Sequence, residues 1–144
     1  MLNIAIVDDE NIFVEKLSSS VIECCEKVDI QYRIDKYYDG YEMLEKCLRY
    51  HLVFLDIEMS TINGIEIAKE INKIKGNFEF PYFVFVTSHN ELVFDALKPL
   101  SLSYLRKNEI NNKESIQDII RKISKIIESD KNIINIRTKN FNII

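Results

Sequence analysis

An α/β fold built on a doubly wound parallel sheet is predicted by three features of this chain. Strand-like and helix-like stretches alternate five times along it. Two of the strand-like runs, Leu2-Asn3-Ile4-Ala5-Ile6-Val7 and Leu52-Val53-Phe54-Leu55, are almost unbroken apolar segments, the pattern of strands covered on both faces. Polar groups also recur at the C-terminal ends of such runs. Asp8-Asp9-Glu10 follows the first and Asp56 follows Leu55. Thr87-Ser88 follows Tyr82-Phe83-Val84-Phe85-Val86, and Lys107 stands just beyond Ser101-Leu102-Ser103-Tyr104-Leu105. In an open parallel sheet, ligands bind in the crevice outside the carboxyl ends of the strands, so this recurrence predicts a site as well as a fold.

The elements follow in order. Residues 2–7 form the first strand. A helix is expected over about 11–27, where Ile12, Phe13, Leu17, Val21, Cys24 and Cys25 recur near helical spacing. Ile30–Tyr37 alternates, with Ile30, Tyr32, Ile34 and Lys36 on one face, and reads as a strand. Asp39-Gly40 turns the chain into a short helix carrying Met43, Leu44, Cys47 and Leu48. After strand 52–55 and a loop comes a helix from about Gly64, with Ile65, Ile67, Ala68, Ile71 and Ile74 inward, stopped near Gly76-Asn77. Strand 80–86, a short helix around 90–97 broken by Pro99, and a short strand 101–105 come next. A helix from about 112 to 128 carries the stripe Ile116, Ile119, Ile120, Ile123, Ile126 and Ile127. The sum is a doubly wound sheet of the flavodoxin-like kind, five parallel strands in the order 2-1-3-4-5 with helices on both faces. The tail departs from it: Ile133–Ile144 alternates like a strand with no helix after it. It reads as an extra edge strand or as the opening of a second domain, with Asp130-Lys131-Asn132 as linker.

Bulk properties narrow the classes. At 144 residues and 47% hydrophobic, the chain makes one domain-sized unit with a real core. A net charge of -4 argues against a domain whose main work is gripping nucleic-acid backbone. No apolar stretch approaches the roughly 18–20 residues needed to span a bilayer, and Asp8-Asp9-Glu10 follows the first apolar run too soon for a secretory signal. Cys24, Cys25 and Cys47 lack metal-ligand spacing and read as reduced, mostly buried thiols of a cytoplasmic protein with no membrane partner.

The polar groups themselves suggest a chemistry. Carboxylates gathered at one sheet edge repel unless a cation neutralises them, so the set implies a divalent metal. Few carboxylates and oxygen-only ligands suit Mg²⁺ better than Zn²⁺. Asp56 is a candidate nucleophile able to hold a phosphoryl group as an acyl phosphate, with Asp8 and Asp9 placed to hold Mg²⁺. Thr87 can donate to a phosphoryl oxygen and Lys107 can pair with another, the positioning and charge support that phosphoryl transfer needs. Each residue alone has a plainer role: a lone Asp after a strand caps a helix, and an acidic cluster suits a helix N-terminus. The four together, in order, favour the site.

At these residues the chain resembles a bacterial response-regulator receiver domain, over about residues 1–127. Val7-Asp8-Asp9-Glu10 is similar to that family's acidic pair, and Phe54-Leu55-Asp56-Ile57-Glu58-Met59 to its phosphoacceptor motif. Asn63-Gly64 resembles the loop opening its third helix, Val86-Thr87-Ser88-His89 its signalling strand end, and Tyr104-Leu105-Arg106-Lys107 the strand with its switch aromatic and lysine. Ser60 and Asn108 stand where the family usually has Pro. The resemblance implies a CheY-like fold and a signalling role: Asp56 accepts a phosphoryl group from a sensor histidine kinase, and the domain is not an enzyme beyond self-phosphorylation and self-dephosphorylation. It implies that Asp9, Asp56 and the Glu58 backbone carbonyl hold Mg²⁺, with Asp8 acting through water. It also implies that Thr87 and Lys107 bind the phosphoryl oxygens, that Thr87 and Tyr104 form the switch, and that Glu58 and His89 tune dephosphorylation.

The segments Leu-Asp-Ile-Glu-Met, Val-Thr-Ser-His-Asn-Glu and Tyr-Leu-Arg-Lys are most similar to receivers that precede a LytTR-type DNA-binding domain. The resemblance therefore implies a receiver over 1–129, with 130–144 as linker and first strand of such an output domain, through which alone DNA would be contacted. A homodimer formed on phosphorylation is a further implied partner, through a face carrying Asn90, Glu91, Lys98, Ser101 and Arg106. Two other classes compete. A haloacid-dehalogenase-like Mg²⁺-dependent phosphatase would want Asp where Glu58 stands, an earlier nucleophile and a cap domain. A flavin-binding module would want a phosphate loop where Asp8-Asp9-Glu10 would repel it.

Overall fold

The computed structural model describes residues 1–88 and 101–142, with residues 130–142 described by backbone alone. Five parallel strands form one sheet in the order β2-β1-β3-β4-β5: β1 Leu2–Val7, β2 Tyr32–Tyr37, β3 Leu52–Asp56, β4 Tyr82–Thr87 and β5 Ser103–Arg106. The helices between and after them are α1 Asn11–Lys27, α2 Gly40–Leu44, α3 Gly64–Lys75 and α4 Lys113–Asn142, with single 3₁₀ turns at Cys47–Arg49 and Lys107–Glu109. The expected helix around 90–97, and with it His89, Asn90, Glu91 and Lys98, lies outside the described residues.

Alternation along the central strands divides the core in two, since successive side chains in a strand point to opposite faces. Ile4 and Ile6 of β1, Phe54 of β3, and Val84 and Val86 of β4 join the buried faces of α1 and α4. Ala5 and Val7, Val53 and Leu55, and Phe83 and Phe85 join α3 and the segment from α2 to Tyr50. α1 buries Phe13, Val14, Leu17, Val21, Cys24 and Cys25. α4 buries Ile116, Ile119, Ile120 and Ile123, with Ile126 and Ile127 partly covered. All three cysteines are free and buried.

Two local devices set the geometry below the site. Asn63 caps α3, its Oδ1 accepting the Ile65 N–H at 2.7 Å. Gly76 ends that helix with a φ of 53°, a conformation that a Cβ disfavours.

Several expectations are corrected. β2 begins at Tyr32, two residues later than the alternation from Ile30 suggests. The helix after Asp39-Gly40 is split into α2 and a 3₁₀ turn, leaving Leu48 exposed. Ile12 and Ile74 lie at the margins of their helical stripes and face outward, 74% and 46% exposed. The largest correction concerns residues 133–142, which alternate like a strand but continue α4 to Asn142. Ile133 and Ile134 stand seven positions beyond Ile126 and Ile127, so the helical repeat is also satisfied. Neither Gly nor Pro interrupts the chain after Lys113.

Candidate functional site

Register brings the polar strand ends level. Val7 pairs with Leu55, so Asp8, one residue beyond β1, stands beside Asp56, the last residue of β3. Asp56 pairs with Val86, which sets Thr87 one step further at the end of β4. Thr87 pairs with Arg106, and Lys107 follows. Asp8, Asp56 and Thr87 are each about 1% exposed. Lys107 leans back over the sheet edge, its Nζ 3.0 Å from Asp8 Oδ2, 3.5 Å from Asp56 Oδ2 and 3.6 Å from Glu10 Oε1.

The backbone completes the cleft. The Glu10 N–H donates to Asp8 Oδ1 at 2.9 Å, the Glu58 N–H to Asp56 Oδ1 at 3.3 Å, and the Ser60 N–H to Asp9 Oδ2 at 2.9 Å. The loop after β3 closes through Gly64, whose N–H donates to the Ile57 carbonyl at 2.8 Å. A Cβ on Gly64 would lie 2.1 Å from the Asp56 carbonyl oxygen, so only glycine lets α3 start this close to the nucleophile candidate.

Electrostatically the cleft is under-compensated. Asp8 Oδ2 and Asp56 Oδ2 are buried and accept no well-aligned hydrogen bond; Lys107 gives them charge at ion-pair range only. Burial, with the neighbouring Asp8 charge second, pushes the Asp56 carboxyl up to about 8 despite Lys107. Burial likewise raises Asp8, partly offset by the Glu10 amide and Lys107. Burial pulls the Lys107 ammonium down, but its close contact with Asp8 and the charges of Asp56 and Glu10 outweigh it and hold the pKa above its ordinary value. Two buried carboxylates with unmatched oxygens, beside a partly exposed third, form a set that a hard divalent cation fits. One oxygen each from Asp8, Asp9 and Glu10 fall within 4.8 Å of one another, an acidic cluster able to coordinate a metal ion.

Of the residues singled out in the sequence, Asp8, Asp56, Thr87 and Lys107 converge on one sheet edge, with Asp9 at its rim. Glu58 is exposed and touches Asp56 through its backbone. Tyr104 sits in β5 opposite Phe85 and packs against the second apolar cluster. Glu10 joins the acidic cluster and pairs with Lys107, a part the motif reading did not assign to it. The bond from Ser60 to Asp9 was also missed, although a non-proline residue at 60 was the visible signal: Pro has no N–H to give.

A five-stranded 2-1-3-4-5 sheet with an acidic pocket and a lysine at its carboxyl edge is the arrangement of a receiver-type signalling module. The chain matches the response regulator receiver domain over residues 4–121 and belongs to that family. It is 30% identical over 138 residues to the sensory transduction protein LytT of Bacillus subtilis, covering 92% of this chain and 54% of that protein. To LytR of Staphylococcus epidermidis it is 32% identical over 93 residues, covering 63% of this chain and 35% of that one. The chain thus spans about half or less of the length of these relatives. Among solved structures, the response regulator TrrA of Thermotoga maritima, in complex with Mg²⁺ and beryllofluoride, superposes with a TM-score of 0.65 at 31% identity, covering 85% and 99% of the two chains. The CheY-like receiver of Methanospirillum hungatei gives 0.71 at 18% identity over 90% and 98%, a likeness of fold alone. The phosphatase and flavin-module alternatives are set aside by this membership. No helix among the described residues is long and apolar enough to cross a membrane.

Proposed function

We propose that this domain accepts a phosphoryl group on Asp56 from the phosphohistidine of a sensor kinase, with Mg²⁺ bound beside it. The supporting observation is the pair of buried, unmatched oxygens on Asp8 and Asp56 facing the Lys107 ammonium. Asp8, Asp9, Asp56 and the Glu58 carbonyl would hold the ion, with Glu10 at its margin. When bound, Mg²⁺ neutralises the charge gathering on the transferred group. An Asp56 oxygen forms the new bond to phosphorus as the bond to the donor nitrogen breaks, and that electron pair leaves with the imidazole. Asp56 must be ionised to attack, and its burial beside Asp8 opposes ionisation until positive charge enters the cleft. Lys107 and the Thr87 hydroxyl then take phosphoryl oxygens that water would otherwise hold.

Thr87 and Tyr104 carry the change outward, through space vacated when the Thr87 hydroxyl turns to the phosphoryl group. Glu58 and His89, through their action on the hydrolytic water, set the lifetime of the acyl phosphate. The receiver proper is residues 1–129. The helical stretch after it is the connector to a LytTR-type DNA-binding domain, so that a cytoplasmic phosphorelay controls transcription, with dimerisation as one route. Acetyl phosphate and intact-mass measurement test the core of this reading. Wild type gains one phosphate mass only with a divalent metal and Asp56→Asn gains none; equal labelling of the variant would refute it.

A further inference from the structure

Lys107 has a fourth neighbour besides its three carboxylates. Its Nζ lies 4.6 Å from the centroid of the Phe13 ring, within the roughly 6 Å over which an ammonium is drawn to an aromatic face. The ring is a fixed wall. Phe13 belongs to the first turn of α1, its N–H donates to the Glu10 carbonyl at 3.1 Å, and it is packed into the core shared with α4 at 8% exposure. Lys107 opens the 3₁₀ turn after β5, and its four-carbon stem is flexible, so its ammonium is held by the groups around it. Its side chain is nevertheless only 16% exposed.

The carboxylates around this ammonium are inconstant partners. Asp8 and Glu10 share the cluster that suits a metal ion, and Asp56 is the group that becomes phosphorylated in the proposed function. Among the described neighbours the ring keeps the same charge distribution through every such state, and unlike a carboxylate it does not repel an incoming phosphoryl oxygen's anionic charge by a full unit. We propose that Phe13 is the positioning residue for Lys107, its ring face holding the ammonium at the mouth of the cleft whatever the charge on the acids, so that it is in place to meet a phosphoryl oxygen. This inference rests on the reading of Lys107 as a phosphoryl partner.

Beryllofluoride with Mg²⁺ serves as the phosphoryl probe on the 144-residue chain. Phe13→Leu keeps apolar bulk and removes the aromatic face, whereas Phe13→Tyr keeps the face. Beryllofluoride affinity falls three- to tenfold in Phe13→Leu, tenfold being about 1.4 kcal/mol, and returns to within twofold of wild type in Phe13→Tyr. In the metal-free protein, a cycle of Phe13→Leu and Lys107→Met followed by urea unfolding shows the two changes to be non-additive, which packing of the ring alone would not produce. Should Phe13→Leu fail to fold, Phe13→Met takes its place in both measurements. Equal affinity in wild type and Phe13→Leu, or strict additivity in the cycle, overturns the positioning role while leaving the phosphoacceptor reading intact. Failure of wild type itself to bind beryllofluoride overturns that reading, and the role of Phe13 with it.

Discussion

At the scale of single residues the site is organised by what each carboxylate lacks. Asp8 and Asp56 are buried and each has one oxygen without an aligned donor. Asp9 is more accessible, and one of its oxygens is aimed by the Ser60 N–H at 2.9 Å. A cation entering this cleft meets Asp9 at its rim, while Asp8 already shares its charge with Lys107 at 3.0 Å. Asp9→Ala is therefore expected to weaken Mg²⁺ binding more than Asp8→Ala, and the double variant to abolish it. A metal titration with unchanged affinity in the double variant would remove these two residues from the metal site. The sequence made most of this set legible, because its members stand at or just beyond the ends of apolar runs. Glu10 and Phe13 were not legible as site residues. Glu10 reads as one more acid at a helix start, though its carboxylate joins Asp8 and Asp9, and Phe13 as one more core aromatic, which only the return of Lys107 across the sheet makes a neighbour of the cleft.

At the scale of elements, the loop from β3 to α3 decides where the nucleophile candidate points. It is closed by the Gly64 N–H on the Ile57 carbonyl and by Asn63 capping α3. Since a Cβ at position 64 would overlap the Asp56 carbonyl at 2.1 Å, backbone and not a pliable side chain has to move. Gly64→Ala is expected to cost about 3 kcal/mol of stability and to slow phosphorylation from acetyl phosphate. Chemical denaturation and intact-mass kinetics measure both, and a variant matching wild type in each would contradict the close-approach account. The strands and longer helices were legible because the period of two and the helical stripe are strong signals over such lengths. Boundaries were less so. α2 is too short to carry a stripe, and Ile74 and Ile12 lie at stripe edges, where one step of rotation turns a residue outward. In residues 133–142 the Ile-rich run satisfies both periods at once, and the structure takes the helical one.

For the whole molecule, the site stores instability that a proton or a metal ion relieves. Asp56 is raised from 3.8 to about 8 by burial first and by Asp8 second, and Asp8 is raised by burial. A carboxyl whose folded-state pKa is raised holds its proton more tightly folded than unfolded. Its contribution to stability is thus fully present below about pH 4 and is lost as pH climbs towards about 8. Lys107 is raised as well, but from 10.5, so it stays charged in both states across this window and adds no slope. Without metal, stability should therefore fall between pH 5.5 and 8, by at most about 1.4 kcal/mol per pH unit for one proton. The comparison that isolates the cleft is with Asp56→Asn, whose side chain has no charge to lose. Urea unfolding in chelator should show the variant gaining on wild type as pH rises, and becoming the more stable at pH 8. Mg²⁺ binds the ionised form, so adding it should stabilise wild type more at pH 8 than at 5.5 and flatten the difference, while doing little for the variant. Parallel stability curves for the two proteins across the window would show that the buried pair is relieved by something other than protons.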